Sequence, residues 1–325
     1  MSMLDTQYLG LEIKSPVIVG SCGFSSKIEK MKEAETYGAG AIVMKSLFEE
    51  QINSLIASSH VPNIHPEAED YMSNYIKSHS VDEYLKLISE AKKNLHIPVI
   101  ASINCITSET WIEFARNIEG AGADAIEINM FFLPVSGNIS PEEAEKPYFI
   151  LAEKLKKTIK IPIAIKIGFR FTNVLNLVEM LYRRGIDGVV MFNRFYEPDI
   201  DIEKMKIVPA TIFSTSYDCR YVLRWIAMTS ALNMKIDISA STGVHSGNEA
   251  IKYMLAGATT VQVCSVLYKK GLQQIKTINE QISDWMKRNN FKTIQQFRGK
   301  LNYSSISEPM VFERTQFMKY FSSHE

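Results

Sequence analysis

The stretch "GAGADAIEIN", residues 120 to 129, reads as a helix end, a turn and a strand within ten residues. Glycine closes a helix because it enters the left-handed region without a Cβ penalty, and the short apolar run behind it suits a strand buried on both faces. The same order recurs in "YGAGAIVM" at 37 to 44, "RGIDGVVMFN" at 184 to 193 and "AGATTVQVC" at 256 to 264. Helix, glycine, buried strand is the rhythm of parallel βαβ units.

Four further apolar runs lie between these: "SPVIVGS" at 15 to 21, "IPVIASIN" at 97 to 104, "IPIAIKIG" at 161 to 168 and "KIDISAS" at 235 to 241. Two begin with Ile-Pro, and proline at a strand's first position costs no ladder bond. Strands are therefore expected near 16–21, 40–44, 98–103, 124–129, 161–166, 187–192, 236–240 and 260–264, each followed by a helix. Ser26-x-x-Glu29, Ser80-x-x-Glu83, Ser140-x-x-Glu143 and Ser246-x-x-Glu249 match the capping box, in which the serine and glutamate side chains satisfy orphan amides at a helix start. Eight alternating units predict an α/β fold, a closed (β/α)8 TIM barrel with its site at the carboxyl ends of the strands. A doubly wound open sheet is the alternative.

The barrel is expected as a single domain over residues 1–301, with a C-terminal tail at 302–325 that is either an arm on a neighbouring subunit or a disordered end. Two stretches break the rhythm, residues 47–79 after strand 2 and 194–217 after strand 6, both on the face where barrels build sites. Lids or partner surfaces are the expected uses.

Composition narrows the function classes. The chain has 325 residues, 46% of them hydrophobic, and 36 basic against 36 acidic side chains. A balanced charge supplies no field toward nucleic acid or anionic lipid, so a small-molecule partner is expected instead. Cys22, Cys105, Cys219 and Cys264 are too scattered for a disulfide framework or a C-x-x-C pair. With no basic-then-apolar leader and no apolar run near the roughly 20 residues of a membrane span, the sequence predicts a cytoplasmic protein. The six histidines have no metal-ligand spacing, so no metal is expected. Neither a Gly-x-Ser-x-Gly elbow nor a P-loop is present.

The polar residues at predicted strand ends carry the chemistry. Lys45, Asn104, Asn129, Lys166 and Asn193 end strands 2 to 6 in turn, and lysines are rarely buried without a partner. Two amines and three carboxamides converging on one mouth suit an anionic ligand rich in heteroatoms. After strands 7 and 8, Ser241, Thr242, Gly243, Cys264 and Ser265 place small residues where backbone amides could cradle a phosphate, a recurrent use of this fold. The plain alternative is that tight strand-to-helix turns need small residues.

Taken in order, Gly20-Ser21, "GAGAIVMKS" with Lys45 and Ser46, "SIN" with Asn104, "EIN" with Asn129, "IKI" with Lys166, "FN" with Asn193, "STGV", "AGATTVQVCS" and "FRGKL" resemble the FMN-dependent dihydroorotate dehydrogenases, the class 1 kind, from about residue 5 to 301. The resemblance implies a flavoenzyme oxidising a CH-CH group, as a homodimer. It implies that Gly20, Ser21, Lys45, Asn104, Asn129 and Lys166 line the isoalloxazine ring of FMN, that Ser46 also contacts the cofactor, that Ser241, Thr242, Gly243, Cys264 and Ser265 hold its phosphate, and that Asn129 and Asn193 contact substrate. Lys166 would favour the ring in its reduced, anionic form, and Lys45 would bridge ring and substrate.

The match fails where the family's chemistry is done. Its strand-4 loop reads Asn-Leu-Ser-Cys-Pro-Asn, with cysteine as base, whereas this chain reads Asn129-Met130-Phe131-Phe132-Leu133-Pro134. Phenylalanine, at position 132, accepts no proton. The family's substrate loop after strand 2 has no counterpart in residues 50–79. The expectation is thus an FMN oxidoreductase with an altered, more apolar substrate. The alternatives are a relative that binds flavin or a phosphate ligand without turnover, and dihydroorotate oxidation through a different base. Cys105 and His245 are the groups near the mouth that could take a proton, beside the simpler roles of packed thiol and surface imidazole.

Overall fold

The computed structural model describes residues 2–48, 66–104, 108–130, 132–194 and 197–313, with the backbone alone for 66–79, 108 and 109. An antiparallel hairpin comes first, β1 (Thr6–Tyr8) and β2 (Leu11–Ile13). Eight parallel strands then form one sheet: β3 (Val17–Val19), β4 (Ala41–Val43), β6 (Val99–Asn104), β7 (Ala125–Asn129), β8 (Ile163–Ile167), β9 (Gly188–Met191), β12 (Asp237–Ala240) and β13 (Thr260–Val263). β3 pairs with both β4 and β13, and β4 pairs onward with β6, so the sheet closes on itself. That closure excludes the open sheet and gives the single-domain (β/α)8 barrel. Each barrel strand is followed by at least one helix, as the alternation in sequence predicts.

Period two sorts the side chains of each strand. Ile42, Ala101, Ile103, Ile126, Ile128, Ile163, Ile165 and Val189 point outward and pack beneath the helices in the main core. Ile18, Ala41, Val43, Ile100, Ala125, Ala164 and Val190 point inward and form a separate apolar layer. Two residues further along the same inward rows stand Ser102, Glu127, Lys166 and, on β13, Gln262, so the barrel lumen changes from apolar to polar toward its carboxyl end.

The hairpin β1–β2, which sequence reasoning missed, closes the amino end. Tyr8, Leu9 and Ile13 join the inner apolar layer, and the Leu9 amide donates to Asp237 Oδ2 at 2.7 Å. Gly188 makes room for this plug, since a Cβ there would lie 2.5 Å from Leu9 Cδ2.

Two acidic residues repeat one device at the amino ends of strands. Asp124 accepts the Val99 amide at 2.8 Å and meets Lys92 at 2.6 Å. Asp187 accepts the Ile163 amide at 2.9 Å and meets Lys156 at 3.0 Å. Each aspartate follows the glycine turn by two residues, so the turn, the neighbouring strand and the covering helix are fixed together.

Two expected capping boxes form, at Ser140 and Ser246. Two do not. Ser80 lies inside an unbroken helix from Pro66 to Asn94, where no orphan amide exists to be capped. Ser26 instead donates to the Gly23 carbonyl at 2.8 Å, and the helix starts at Ile28. Of the excursion after strand 2, β5 (Leu47–Phe48) adds to β6, and residues 49–65 lie outside the described residues. The excursion after strand 6 contains a second hairpin, β10 (Pro198–Asp201) with β11 (Lys206–Pro209). In the tail, the Tyr303 amide donates to the Ala227 carbonyl at 3.0 Å, and residues 314–325 lie outside the described residues. Among the described residues no helix is long and apolar enough to cross a membrane.

Candidate functional site

The inward rows of β7, β8 and β13 bring Glu127, Lys166 and Gln262 together at the carboxyl end of the lumen. Lys166 Nζ donates to Gln262 Oε1 at 3.2 Å and lies 3.7 Å from Glu127 Oε1. Gln262 Nε2 donates to Glu127 Oε2. Glu127 is 1% exposed, and its Oε1 has no hydrogen-bond donor. A second polar chain runs beside this one: Ser21 Oγ lies 3.0 Å from Ser46 Oγ, which lies 2.6 Å from the buried Ser102 Oγ. Register places Ser102 opposite Glu127 and Asn129 opposite Lys166.

Above this layer is a cavity of about 270 Å³, just below the usual range for ligand pockets. Gly20, Ser21, Lys166 and Gln262 form its floor, and Asn193 and Arg194 together with the small residues Ser241, Thr242, Gly243, Cys264 and Ser265 line its wall. Thr242 and Gly243 both adopt positive φ, 79° and 81°. Thr242 is held by its hydroxyl donating to the Phe192 carbonyl at 3.1 Å and by the Tyr253 hydroxyl donating to its own carbonyl at 2.7 Å. A Cβ on Gly243 would lie 2.4 Å from the Cys219 nitrogen.

The wall continues through Ser214, whose amide donates to Ser265 Oγ at 3.0 Å and whose hydroxyl lies 3.1 Å from His245 Nε2. Lys269 Nζ donates to the Ser214 carbonyl at 2.8 Å. Burial lowers the His245 pKa, and the positive charge of Lys269 adds to the effect, so the imidazole is a neutral hydrogen-bonding group at neutral pH. Cys264 meets Cys22 across the joined ends of β13 and β3. The Cys264 side chain holds the Cys22 thiol below its ordinary value, while the same contact and burial raise Cys264 itself.

Nine of the residues expected from sequence thus line one cavity: Gly20, Ser21, Lys166, Asn193, Ser241, Thr242, Gly243, Cys264 and Ser265. Ser46 stands behind Ser21. Asn129 accepts a hydrogen bond from Asn193 Nδ2 at 2.8 Å, so it borders the site through that partner. Asn104 is buried at the end of β6, and Lys45 is exposed beyond β4; neither lines the cavity. Cys105 and Phe131 lie outside the described residues. Phe132 is 41% exposed, with Leu133 and Phe169 similarly open. A second cavity of about 230 Å³, walled by Phe169, Phe192 and Tyr221, shares Asn193, Arg194 and Thr242 with the first.

Arg194 lines both cavities. Its guanidinium donates to the Ile212 carbonyl and, at 2.8 Å, to the Thr211 carbonyl. Arg194, Glu127, Gln262 and Ser214 went unnoticed in the sequence. Glu127 and Gln262 stand within "AIEIN" and "TVQV", where the face that points inward is not readable until the barrel closes. Ser214 and Arg194 reach the site through loop geometry that no local pattern encodes. Among the described residues, no group of three or more His, Cys, Asp or Glu is placed to hold a metal ion.

The donor set is compatible with FMN: the Lys166 amine reaches the cavity for the ring, and the small residues of 241–243 and 264–265 leave room in its lining for a phosphate.

Comparison with known proteins gives the family. The family model described as dihydroorotate dehydrogenase matches residues 3–286. The chain is 26% identical to the dihydroorotate dehydrogenase B (NAD(+)) catalytic subunit of Methanocaldococcus jannaschii, covering 91% of this chain and 97% of that protein. It is 24% identical to the protein of the same name from Thermoplasma acidophilum, over 92% and 99%. It is 25% identical to the chloroplastic dihydropyrimidine dehydrogenase (NADP(+)) of Arabidopsis thaliana, over 93% of this chain and 78% of that one.

Proposed function

This chain belongs to the dihydroorotate dehydrogenase family, and on that premise we propose that it is an FMN-dependent oxidoreductase whose substrate is more apolar than dihydroorotate. The observation that carries the reading is the cavity itself, lined by the Lys166 amine and by the small residues of 241–243 and 264–265. FMN, when bound, supplies a hydride acceptor. Lys166 would hold the ring's polar edge, Ser21 its flank, and the backbone of Ser241 to Gly243 and Cys264 to Ser265 the phosphate. Lys45, Asn104 and Asn129 are assigned to the same ring and Ser46 to the cofactor by the family resemblance, with Lys45 bridging to substrate.

The substrate side departs from the family. Phe132 occupies the position of the base, and Phe132, Leu133 and Phe169 are half exposed in the strand-4 and strand-5 loops. Such side chains exclude water and bind apolar surface; they move no proton. Asn193, paired with Asn129, remains to orient a polar group of the substrate, and Cys105 is the assigned proton acceptor.

We assign the hairpin β10–β11 to a contact with a second copy of this chain. Ile200, Ile202, Met205 and Ile207 are each at least 60% exposed along it, more apolar surface than a solvated two-stranded ribbon retains without a partner.

Anaerobic mixing of the FMN-loaded protein with dihydroorotate tests the substrate assignment. The yellow absorbance should persist, and it should bleach with a dithionite control. Rapid bleaching by dihydroorotate would overturn the altered substrate and restore the family activity through another base. Failure of every dihydropyrimidine and apolar CH-CH donor tried would favour a binding protein without turnover, which the loss of the base at Phe132 also suits.

A further inference from the structure

Glu127 is the most deeply buried carboxylate in the lumen, and neither the family resemblance nor the cavity lining assigns it a role. It sits directly beneath the cavity floor, 1% exposed, on the inward row of β7 between Ala125 of the apolar layer and Asn129 at the mouth. Burying an ion in this way is costly unless it is paired and hydrogen-bonded. Glu127 is only partly satisfied: Oε2 accepts from Gln262, while Oε1 has no hydrogen-bond donor and faces Lys166 Nζ at 3.7 Å. An apolar residue would fill the same volume without that cost, so a stability role does not account for a carboxylate here.

The arrangement is directional. Lys166 has its amine at the cavity floor, 12% exposed, with Glu127 below it and Gln262 beside it. Gln262 accepts from Lys166 and donates to Glu127, so it links cation and anion through one amide. The phenols that face Glu127 are neutral. Burial raises Tyr8 well above its ordinary value, with the charges of Glu127 and Asp237 adding, and burial likewise raises Tyr84. Any ring bound on the floor therefore feels the sum of one positive and one negative charge.

Resting on the FMN reading above, we propose that Glu127 is a positioning residue: the buried counter-charge that holds Lys166 at the floor and, by cancelling part of its field, keeps the bound flavin from favouring its reduced, anionic form too strongly. The consequence is a cofactor that gives up its electrons readily to the next acceptor. Lys166 alone would trap them.

The midpoint potential of the bound flavin reads this directly, because it reports the ratio of affinities for reduced and oxidised ring. Glu127→Gln keeps the shape and removes the charge. The preference for reduced flavin should rise by about tenfold or more, which for a two-electron couple is about 30 mV upward. Glu127→Asp keeps the charge and should change the ratio by less than twofold, under about 10 mV. The swap of Glu127→Gln with Gln262→Glu returns a carboxylate to the other partner of Lys166 and should likewise stay within twofold. It also carries the test if the single Gln variant does not fold. Equal potentials in wild type and Glu127→Gln would overturn the proposal. So would a shift in Glu127→Asp as large as in Glu127→Gln, or a swapped pair displaced tenfold, since either would mark a packing role. A wild-type protein that takes up no FMN would fail the cofactor reading, whereas one that binds FMN with potentials indifferent to Glu127 would fail this inference alone.

Discussion

Replacing Gly243 with alanine should both destabilise the barrel and open the proposed phosphate wall. Its φ of +81° lies where a Cβ costs about 1–2 kcal/mol. The added carbon would also sit 2.4 Å from the Cys219 nitrogen, 3.0 Å from Cys219 Cα and 3.1 Å from the Asp218 carbonyl carbon. All three are backbone atoms at the start of the helix Cys219–Ser230, so no rotamer change relieves the overlap. Overpacking of this kind costs about 1–3 kcal/mol, and the two terms together give about 2–5 kcal/mol. Gly137 is the control, because a Cβ there meets nothing within 4 Å, and Gly137→Ala should stay within about 0.5 kcal/mol of wild type. Urea denaturation followed by tryptophan fluorescence separates the two. With a slope of roughly 3 kcal/mol per M, the midpoint for Gly243→Ala should fall by about 1 M. FMN affinity should fall at least tenfold in native buffer. Matching midpoints for the two variants would refute the claim that residues 242 to 244 are locked against the helix start.

The hairpin that plugs the barrel makes a second prediction: Leu9→Ala should cost about 2–5 kcal/mol in the same urea assay, because Leu9 is 3% exposed against Gly188, and a loss under 1 kcal/mol would show that the plug is not part of the core. Asp237 predicts a pH dependence. Burial raises its pKa, partly offset by the bonds from the Leu9 amide and the Thr259 hydroxyl. Between about pH 3.9 and that raised value the folded chain holds a proton that the unfolded chain has released, so stability falls as pH rises through this window. Asp237→Asn cannot ionise and should flatten that slope in thermal melts; an unchanged slope would assign it to other carboxylates.

The barrel was legible because closure of each helix by glycine and the unbroken apolar run behind it are both local. The runs ending at Met44, Asn129, Asn193 and Cys264 all prove to be barrel strands or their ends. What stayed hidden depends on contacts distant in sequence. The hairpin Thr6–Ile13 has two three-residue strands, too short to show alternation, and its role follows only from meeting Asp237, 228 residues away. Ser80 matched a cap in sequence, yet the helix was already running there. At the site, Lys166 and the small residues of 241–243 stood out as strand-end polarity, whereas Glu127 and Gln262 were concealed within "AIEIN" and "TVQV", where the inward direction of each side chain is known only once the barrel closes.

Titration of the purified, cofactor-stripped protein with FMN, followed by flavin fluorescence and repeated with Lys166→Met, tests the central assignment most directly. Saturable binding of FMN, weakened in the variant and tighter than that of riboflavin titrated separately, is the predicted result. A protein that leaves FMN fluorescence unchanged, or binds riboflavin equally well, would contradict the assignment of the strand 7 and 8 wall to a phosphate and of Lys166 to the ring.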